Sequence, residues 1–307
     1  VVIRAQDIIS PEKKHVAIKL LPRGSVIKLY KDYVVREIAH HSVLRHPFII
    51  ELKEVFVTPD YLAIVMDFAQ GGNLHKFLRD RCENNRLGED QARWLFQQLT
   101  LGLDFCHRNG VANRDLKLEN LLLDMEPTSS NPLLRICDFG YSKHDASSFA
   151  DTRLGTPAYM APEVIFLKGE YSAKQADVWS LGVILYAMVC GHYPFNPQDP
   201  ELPKRLSEGK VIYPKNVELT DECRDIIGGM LRPDVNVRLT LSQVLEHPWF
   251  VTDLPDGALT MNDWYLEHAP SKESREDAVM QLVELAAGDA DLTTVTDAVT
   301  HYSFGAG

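Results

Sequence analysis

The chain has 307 residues, 45% of them hydrophobic and 24% charged, with a formal net charge of −11. That length allows two lobes with sizeable cores, and the acidic balance argues against binding to nucleic acid or to an anionic membrane surface. The longest apolar stretch, Val178 to Cys190, is interrupted by Ser180 and Gly182 and falls short of the roughly 20 residues that span a bilayer. It reads as a buried core helix. No signal peptide is evident at the start. Cys82, Cys106, Cys137, Cys190 and Cys223 are scattered, with no C-x-x-C pair, which points to a reducing compartment (cytoplasm or nucleus) and away from a zinc site. The charge is uneven. Residues from Val251 onward hold eleven Asp and Glu against Lys272 and Arg275, so nearly all the excess sits in the tail.

In chain order, Val1 to Asp7 and His15 to Leu20 read as two short strands around a turn at Ser10-Pro11. The second carries a lysine, Lys19, behind an apolar run. Val34, Val35, Ile38 and Leu44 fall near helical spacing from Tyr33 to Leu44, and this helix carries Glu37. Pro47 stops it. Ile50 to Thr58 and Tyr61 to Asp67 alternate as a hairpin turning at Pro59-Asp60, and Asp67 to Gly72 reads as a joint. The chain then becomes mostly helical. Glu89 to Cys106 is amphipathic through Ala92, Leu95, Phe96, Leu99 and Leu103. Leu121 to Leu123 and Leu133 to Cys137 are short strands, and helices follow near 174–189, 200–208, 220–231 and 240–247. No internal repeat or low-complexity tract occurs.

The stretch Val111 to Leu123 brings an acid, a lysine and an amide together at Asp115, Lys117 and Asn120. Asp138-Phe139-Gly140 and Ala161-Pro162-Glu163 follow it, and Lys19 and Glu37 precede it. This ordered set resembles the eukaryotic protein kinases over residues 1 to about 250. The resemblance implies an α+β bilobal fold. It has a small β-rich N-lobe with one helix over 1–68 and a larger α-helical C-lobe over 69–250. An acidic extension over 251–307 would carry a regulatory helix at about 274–287. The chain begins where the family's glycine-rich loop has just passed, so the N-lobe is expected to be truncated, lacking that loop and the first strand.

The resemblance also implies the site. Lys19, oriented by Glu37, holds the phosphates of ATP, Asn120 and Asp138 hold Mg2+, Asp115 accepts the proton of the attacking hydroxyl, and Lys117 contacts the transferring phosphate. Val2 and Ala17 would roof the adenine, Leu122 would floor it, Met66 would be the gatekeeper, and the backbones of Asp67 and Ala69 would form the hinge. Lys117 and the run Gly155 to Tyr159 resemble a serine/threonine enzyme, with Thr156 reaching Asp115 and Lys117. Arg114 resembles the arginine that captures an activation-segment phosphate, with Thr152 as the first candidate acceptor and Ser147 and Ser148 as others. Glu163 and Arg238 are expected to pair, and Asp177 to brace the catalytic loop. Asn113 stands where the family carries a histidine whose ring packs on Phe139, so that contact is expected to be lost.

Asp138-Phe139-Gly140-Tyr141-Ser142-Lys143 and the segment 274–287 narrow the resemblance to the plant and green-algal SNF-related kinases of the second subfamily, which respond to osmotic stress and abscisic acid. That implies a monomer acting on Ser/Thr of protein substrates. Glu119 favours an upstream Arg, although Asn73 replaces a second Glu of basic-directed relatives. An activating kinase and a phosphatase would regulate it. The alternative is a pseudokinase or scaffold with weak or no transfer because of the missing loop and Asn113. A small-molecule phosphotransferase is disfavoured by the peptide-docking segment Asp138 to Glu163.

Overall fold

Alternating apolar residues near the start of the chain build one antiparallel sheet. Its strands are β1 (Val2–Gln6), β2 (His15–Pro22), β3 (Leu52–Val57) and β4 (Tyr61–Asp67). The continuous apolar run of β4 places it centrally, and the sheet order is β1-β2-β4-β3, with a last strand from the tail, β11 (His301–Ser303), beyond β3. Two helices cross between β2 and β3, α1 (Ser25–Leu29) and α2 (Lys31–Ser42). The α2 helix carries Glu37, begins two residues earlier than expected and ends at Ser42.

The larger lobe follows through α3 (Leu74–Arg81), α4 (Glu89–Arg108), β5 (Val111–Ala112), β6 (Leu121–Asp124), β7 (Leu133–Ile136), β8 (Lys143–His144) and β9 (Phe149–Ala150). Next come α5 (Pro162–Ile165), β10 (Tyr171–Ser172), α6 (Ala173–Cys190), α7 (Leu202–Glu208), α8 (Asp221–Met230), α9 (Leu241–Leu245) and α10 (Pro248–Val251). The tail supplies α11 (Met261–Glu267), α12 (Glu273–Ala287) and β11 (His301–Ser303). This computed structural model describes residues 1–8, 13–125, 131–139, 143–144, 149–150, 156–166, 170–196, 198–268, 273–288 and 301–304, without the side chains of 143–144, 149–150 and 273–276. Among the described residues, no helix is long and apolar enough to cross a membrane.

Two separate apolar clusters explain the two lobes. The larger one is centred on α4 and α6. As expected from its composition, α6 is buried on nearly every face, including Trp179, Leu181, Val183, Ile184 and Leu185. Ser172 caps its start by accepting from the Gln175 amide, and Gly191 ends it at φ 79°. A Cβ at Gly191 would lie 2.3 Å from the Asn84 carbonyl oxygen, so the turn requires glycine on both counts.

The smaller cluster joins Val34, Val35 and Ile38 of α2 to Leu52, Val55 and Ile64 of the sheet. Val279, Leu282, Val283 and Ala286 of α12 complete it, so the helix expected at 274–287 is present and lies against the Glu37 helix. Polar contacts set its register. Arg23 donates to the carbonyls of Leu285 and Gly288 at 3.2 Å each, the Gly24 amide to Ala286 O at 3.0 Å, and Lys31 pairs with Glu284 at 2.7 Å.

Sequence periodicity missed α1, α3, α11 and β11, which are short or lack a strong apolar stripe. A second outcome concerns Asn73, whose side chain caps α3 by accepting from the Lys76 amide at 2.8 Å. A cap of this kind contributes about 1 kcal/mol.

Candidate active site

The catalytic-loop segment folds back on itself because its polar groups find partners within a few residues. Asn120 donates its amide to the Asp115 carbonyl oxygen (3.0 Å) and to Oδ2 of the same residue (3.1 Å). Lys117 Nζ reaches Asp115 Oδ2 at 2.5 Å and Thr156 Oγ1 at 3.1 Å, while Thr156 donates to Asp115 Oδ1 at 3.2 Å. The expected meeting of Thr156 with Asp115 and Lys117 is therefore present. Asp115 is buried but both its oxygens carry bonds, which offsets the cost of burying a carboxylate.

Asp177, 1% exposed, accepts from the backbone amides of Asn113 (2.9 Å) and Arg114 (2.8 Å) and from His107 Nε2 (2.8 Å). It braces the loop as expected. The third partner, His107, was not foreseen; its place at the end of α4, just before the loop, was the available signal. Arg114 adopts φ 68°, a strained backbone for a non-glycine residue, and the two amide bonds to Asp177 hold it there. Its guanidinium donates to the Tyr171 hydroxyl at 3.1 Å. Thr152, Ser147 and Ser148 lie outside the described residues.

Across the cleft, Lys19 and Glu37 form an ion pair and hydrogen bond. Burial opposes the Lys19 charge, but attraction to Glu37 and Asp138 outweighs it, and the lysine pKa is raised. Burial also lifts the Glu37 carboxyl above its ordinary range, against the pull of Lys19. We take the pair as ionised, because its direct contact and the Asp138 charge both favour the ammonium. The sheet register sets Val2 opposite Lys19 and Ala17 opposite Met66, and Leu122 pairs with Asn73 across the joint. The amide of Asp67 is spent on Glu51 O at 3.0 Å, and its carboxylate bonds Lys53 (2.8 Å) and Arg135 (3.0 Å).

Asp138 is exposed to the cleft at φ 65°. Its carbonyl oxygen accepts from Asn113 Nδ2 at 3.3 Å, and Asn113 Oδ1 accepts from the Asp115 amide at 3.1 Å. Asn113 thus ties the two acidic residues through the backbone. Asn113 itself sets no ring against Phe139, and a ring from a different element packs there. His41 of α2 places its imidazole 5.1 Å from the Phe139 ring centroid and donates to Ile50 O at 2.5 Å. Complete burial holds His41 neutral, with a pKa lowered to about 4. One turn beyond Glu37 on the same helix, it was legible only in hindsight.

The thiol of Cys137 is raised to about 12, chiefly by burial and then by Asp138, which agrees with a core thiol and not a nucleophile. Glu163 and Arg238 form the expected pair, bidentate at 2.6 and 2.8 Å, with Arg238 also over the Trp179 ring at 5.2 Å.

This geometry is matched by comparison with known proteins. Residues 5–250 match the protein kinase domain model. The chain belongs to the protein kinase family. It is 44% identical over 280 residues to serine/threonine-protein kinase SAPK9 of Oryza sativa subsp. japonica, covering 87% of this chain and 74% of that protein. It is 41% identical over 301 residues to serine/threonine-protein kinase SRK2E of Arabidopsis thaliana, covering 94% and 79%. SRK2D of Arabidopsis thaliana is 40% identical over 282 residues, covering 89% and 75%. Within the kinase family the chain groups with the plant SNF-related kinases of the second subfamily, a serine/threonine class.

For Mg2+, the donor set fits. Asn120 spends its amide nitrogen on Asp115, so its Oδ1 would be the atom to hold the ion, and the exposed Asp138 carboxylate would be the second donor. Two hard oxygen donors completed by phosphate oxygens are a usual magnesium arrangement.

Proposed function

We propose that the chain transfers the terminal phosphate of ATP to serine and threonine hydroxyls of proteins in stress signalling, and is activated by phosphorylation of its activation segment. The observation that carries this reading is the triangle of Asp115, Lys117 and Thr156, which brings a proton acceptor and a cation to one point. Bound ATP with Mg2+, held by Lys19, Asn120 and Asp138, supplies the phosphoryl group. A substrate hydroxyl displaces the Thr156 hydroxyl from Asp115 Oδ1 or lies beside it, and Asp115 takes its proton as the new oxygen–phosphorus bond forms and the bond from that phosphorus to the bridging oxygen breaks, with ADP as the leaving group. Lys117 stays on the same carboxylate and stabilises negative charge on the transferring group. Glu37 fixes the direction of Lys19, so the position of α2 decides whether the phosphate site is assembled. Glu119, which accepts from the Tyr159 hydroxyl at 3.3 Å, supports a preference for an upstream arginine.

Regulation by an activating kinase and a phosphatase is supported by Arg114, which lines one cavity with Thr156 and Met160 at the end of the activation segment. We read the protein as a monomer. The test is transfer of labelled phosphate from ATP to a basic Ser/Thr peptide. This chain and a version extended at its N-terminus by a glycine-rich strand are each compared with their Asp115→Asn forms. Transfer abolished by the substitution is expected; no transfer by either parent would overturn the reading in favour of a scaffold.

A further inference from the structure

The sheet does not end at β3. Residues His301, Tyr302 and Ser303 pair antiparallel with Phe56, Val55 and Glu54, adding β11 along its outer edge. The next residue continues the docking: the Phe304 amide donates to Lys53 O at 2.7 Å, and the Arg45 guanidinium donates to the Phe304 carbonyl. The Phe304 ring is 2% exposed and joins the apolar cluster of Val34, Val35 and Ile38 from α2 and Val279 and Val283 from α12. At the rim, His301 Nε2 meets Glu54 at 2.8 Å. None of these groups takes part in the chemistry above.

We propose that the outer edge of β3, with the apolar notch under Lys53, is a peptide-binding site for an extended segment bearing an aromatic anchor, and that its occupant is this chain's own segment 301–304. Backbone pairing along an open strand supplies attachment without regard to sequence, and the pocketed ring supplies selectivity. Three paired residues and one ring make a small contact. A tethered segment nevertheless reaches an effective concentration on the order of millimolar, so a weak intrinsic affinity keeps the site filled. The consequence lies in what the ring touches. Phe304 packs into the same cluster as the helix that carries Glu37 and the helix that braces it, so filling the notch biases α2 toward the position where Glu37 meets Lys19. An edge strand left open would also expose unpaired backbone.

The effect on activity rests on the kinase reading, so the test uses a measurement that needs no catalysis. Hydrogen exchange of the full chain is compared with that of Phe304→Ala, with and without a synthetic peptide of residues 299–305 at millimolar concentration. Exchange of the β3 and α2 amides is expected to quicken by roughly tenfold in the variant, the signature of a shifted local equilibrium. The peptide should reverse this, whereas a peptide with alanine in place of its phenylalanine should not. Arg45→Gln, which leaves the notch lining intact, should move the same amides by a smaller factor and serves if Phe304→Ala fails to fold. The proposal is overturned if α2 exchange is unchanged in both variants, or if the alanine peptide restores protection equally well. Loss of phosphate transfer with α2 exchange unaltered would also overturn it.

Discussion

The catalytic loop and the Glu37 helix are both needed for one site, yet they are held by different physics. Asp115, Lys117, Asn120 and Thr156 are fixed by directional bonds of 2.5 to 3.2 Å, and Asp177 pins the backbone beneath them. Lys117 and Asn120 reach Asp115 within five positions of it, while Thr156 and Asp177 come from further along the chain. The α2 helix has its Lys19 pair, the Lys31–Glu284 pair and the His41 bond to Ile50 O, and apolar side chains from the sheet and from α12 pack the rest of it in place. Apolar burial is non-directional, so a helix held this way can shift while remaining packed. Changes at the loop should therefore remove chemistry outright, and changes around α2 should alter the fraction of molecules in the competent arrangement.

The largest effect that separates these regions is Asp115→Asn, expected to lower phosphate transfer by about 10²–10⁴-fold, the usual worth of a positioned base. Thermal melting should barely move; a melting shift as large as the rate loss would mean the loop is structural first. Arg238→Ala strands Glu163 near the base of the activation segment and should cost about 3–5 kcal/mol in chemical denaturation, far more than an exposed ion pair would. Leu282→Ala in α12 should cost about 2–5 kcal/mol, and the loss should appear in the N-lobe transition and in turnover together. Equal melting with unchanged turnover would break the link between α12 and α2.

Acid should test the buried histidines. His41 and His46 have pKa values lowered to about 4, in each case mainly by burial, whereas an unfolded chain takes up those protons near 6.5. The unfolded state therefore binds more protons between these values. Stability should be complete above about pH 6.5 and decline as pH falls toward about 4, by up to about 3 kcal/mol for each residue. Denaturation midpoints measured across that range, with His46→Gln as the control, give the slope. The smallest effect concerns the loop residue Asn113. Because His41 already supplies the ring on Phe139, Asn113→His should change turnover by less than about threefold. His41→Leu should lose about 0.5–1.5 kcal/mol of ring contact, part of which Asn113→His should restore in the double variant.

Much of the site was legible because phosphoryl transfer needs fixed residue types at fixed spacing. Asp115, Lys117, Asn120, Asp138, Lys19 and Glu37 could be named before any coordinates, as could the Glu163–Arg238 pair. The helix at 274–287 was legible from the spacing of Val279, Leu282, Val283 and Ala286. His41, His107 and Tyr171 were not, since a histidine or tyrosine acquires its role only from what faces it. The β11 strand was also hidden, because three residues carry too short a pattern for a periodicity to show.

The chain's own residues determined the chemistry: an acid, a lysine and an amide within six positions, and hard oxygens for a metal. They also determined the two lobes, through a change from alternating to helical periodicity. Only the tertiary structure decided which ring supports Phe139, where the tail docks and what holds Glu37 against Lys19. Those features depend on segments distant in the chain meeting: His41 of α2 reaches Phe139, and the tail reaches Arg23 and Arg45 from more than 250 residues away. Local spacing cannot specify such meetings, because burial rewards any complementary surface and the fold alone selects which one arrives.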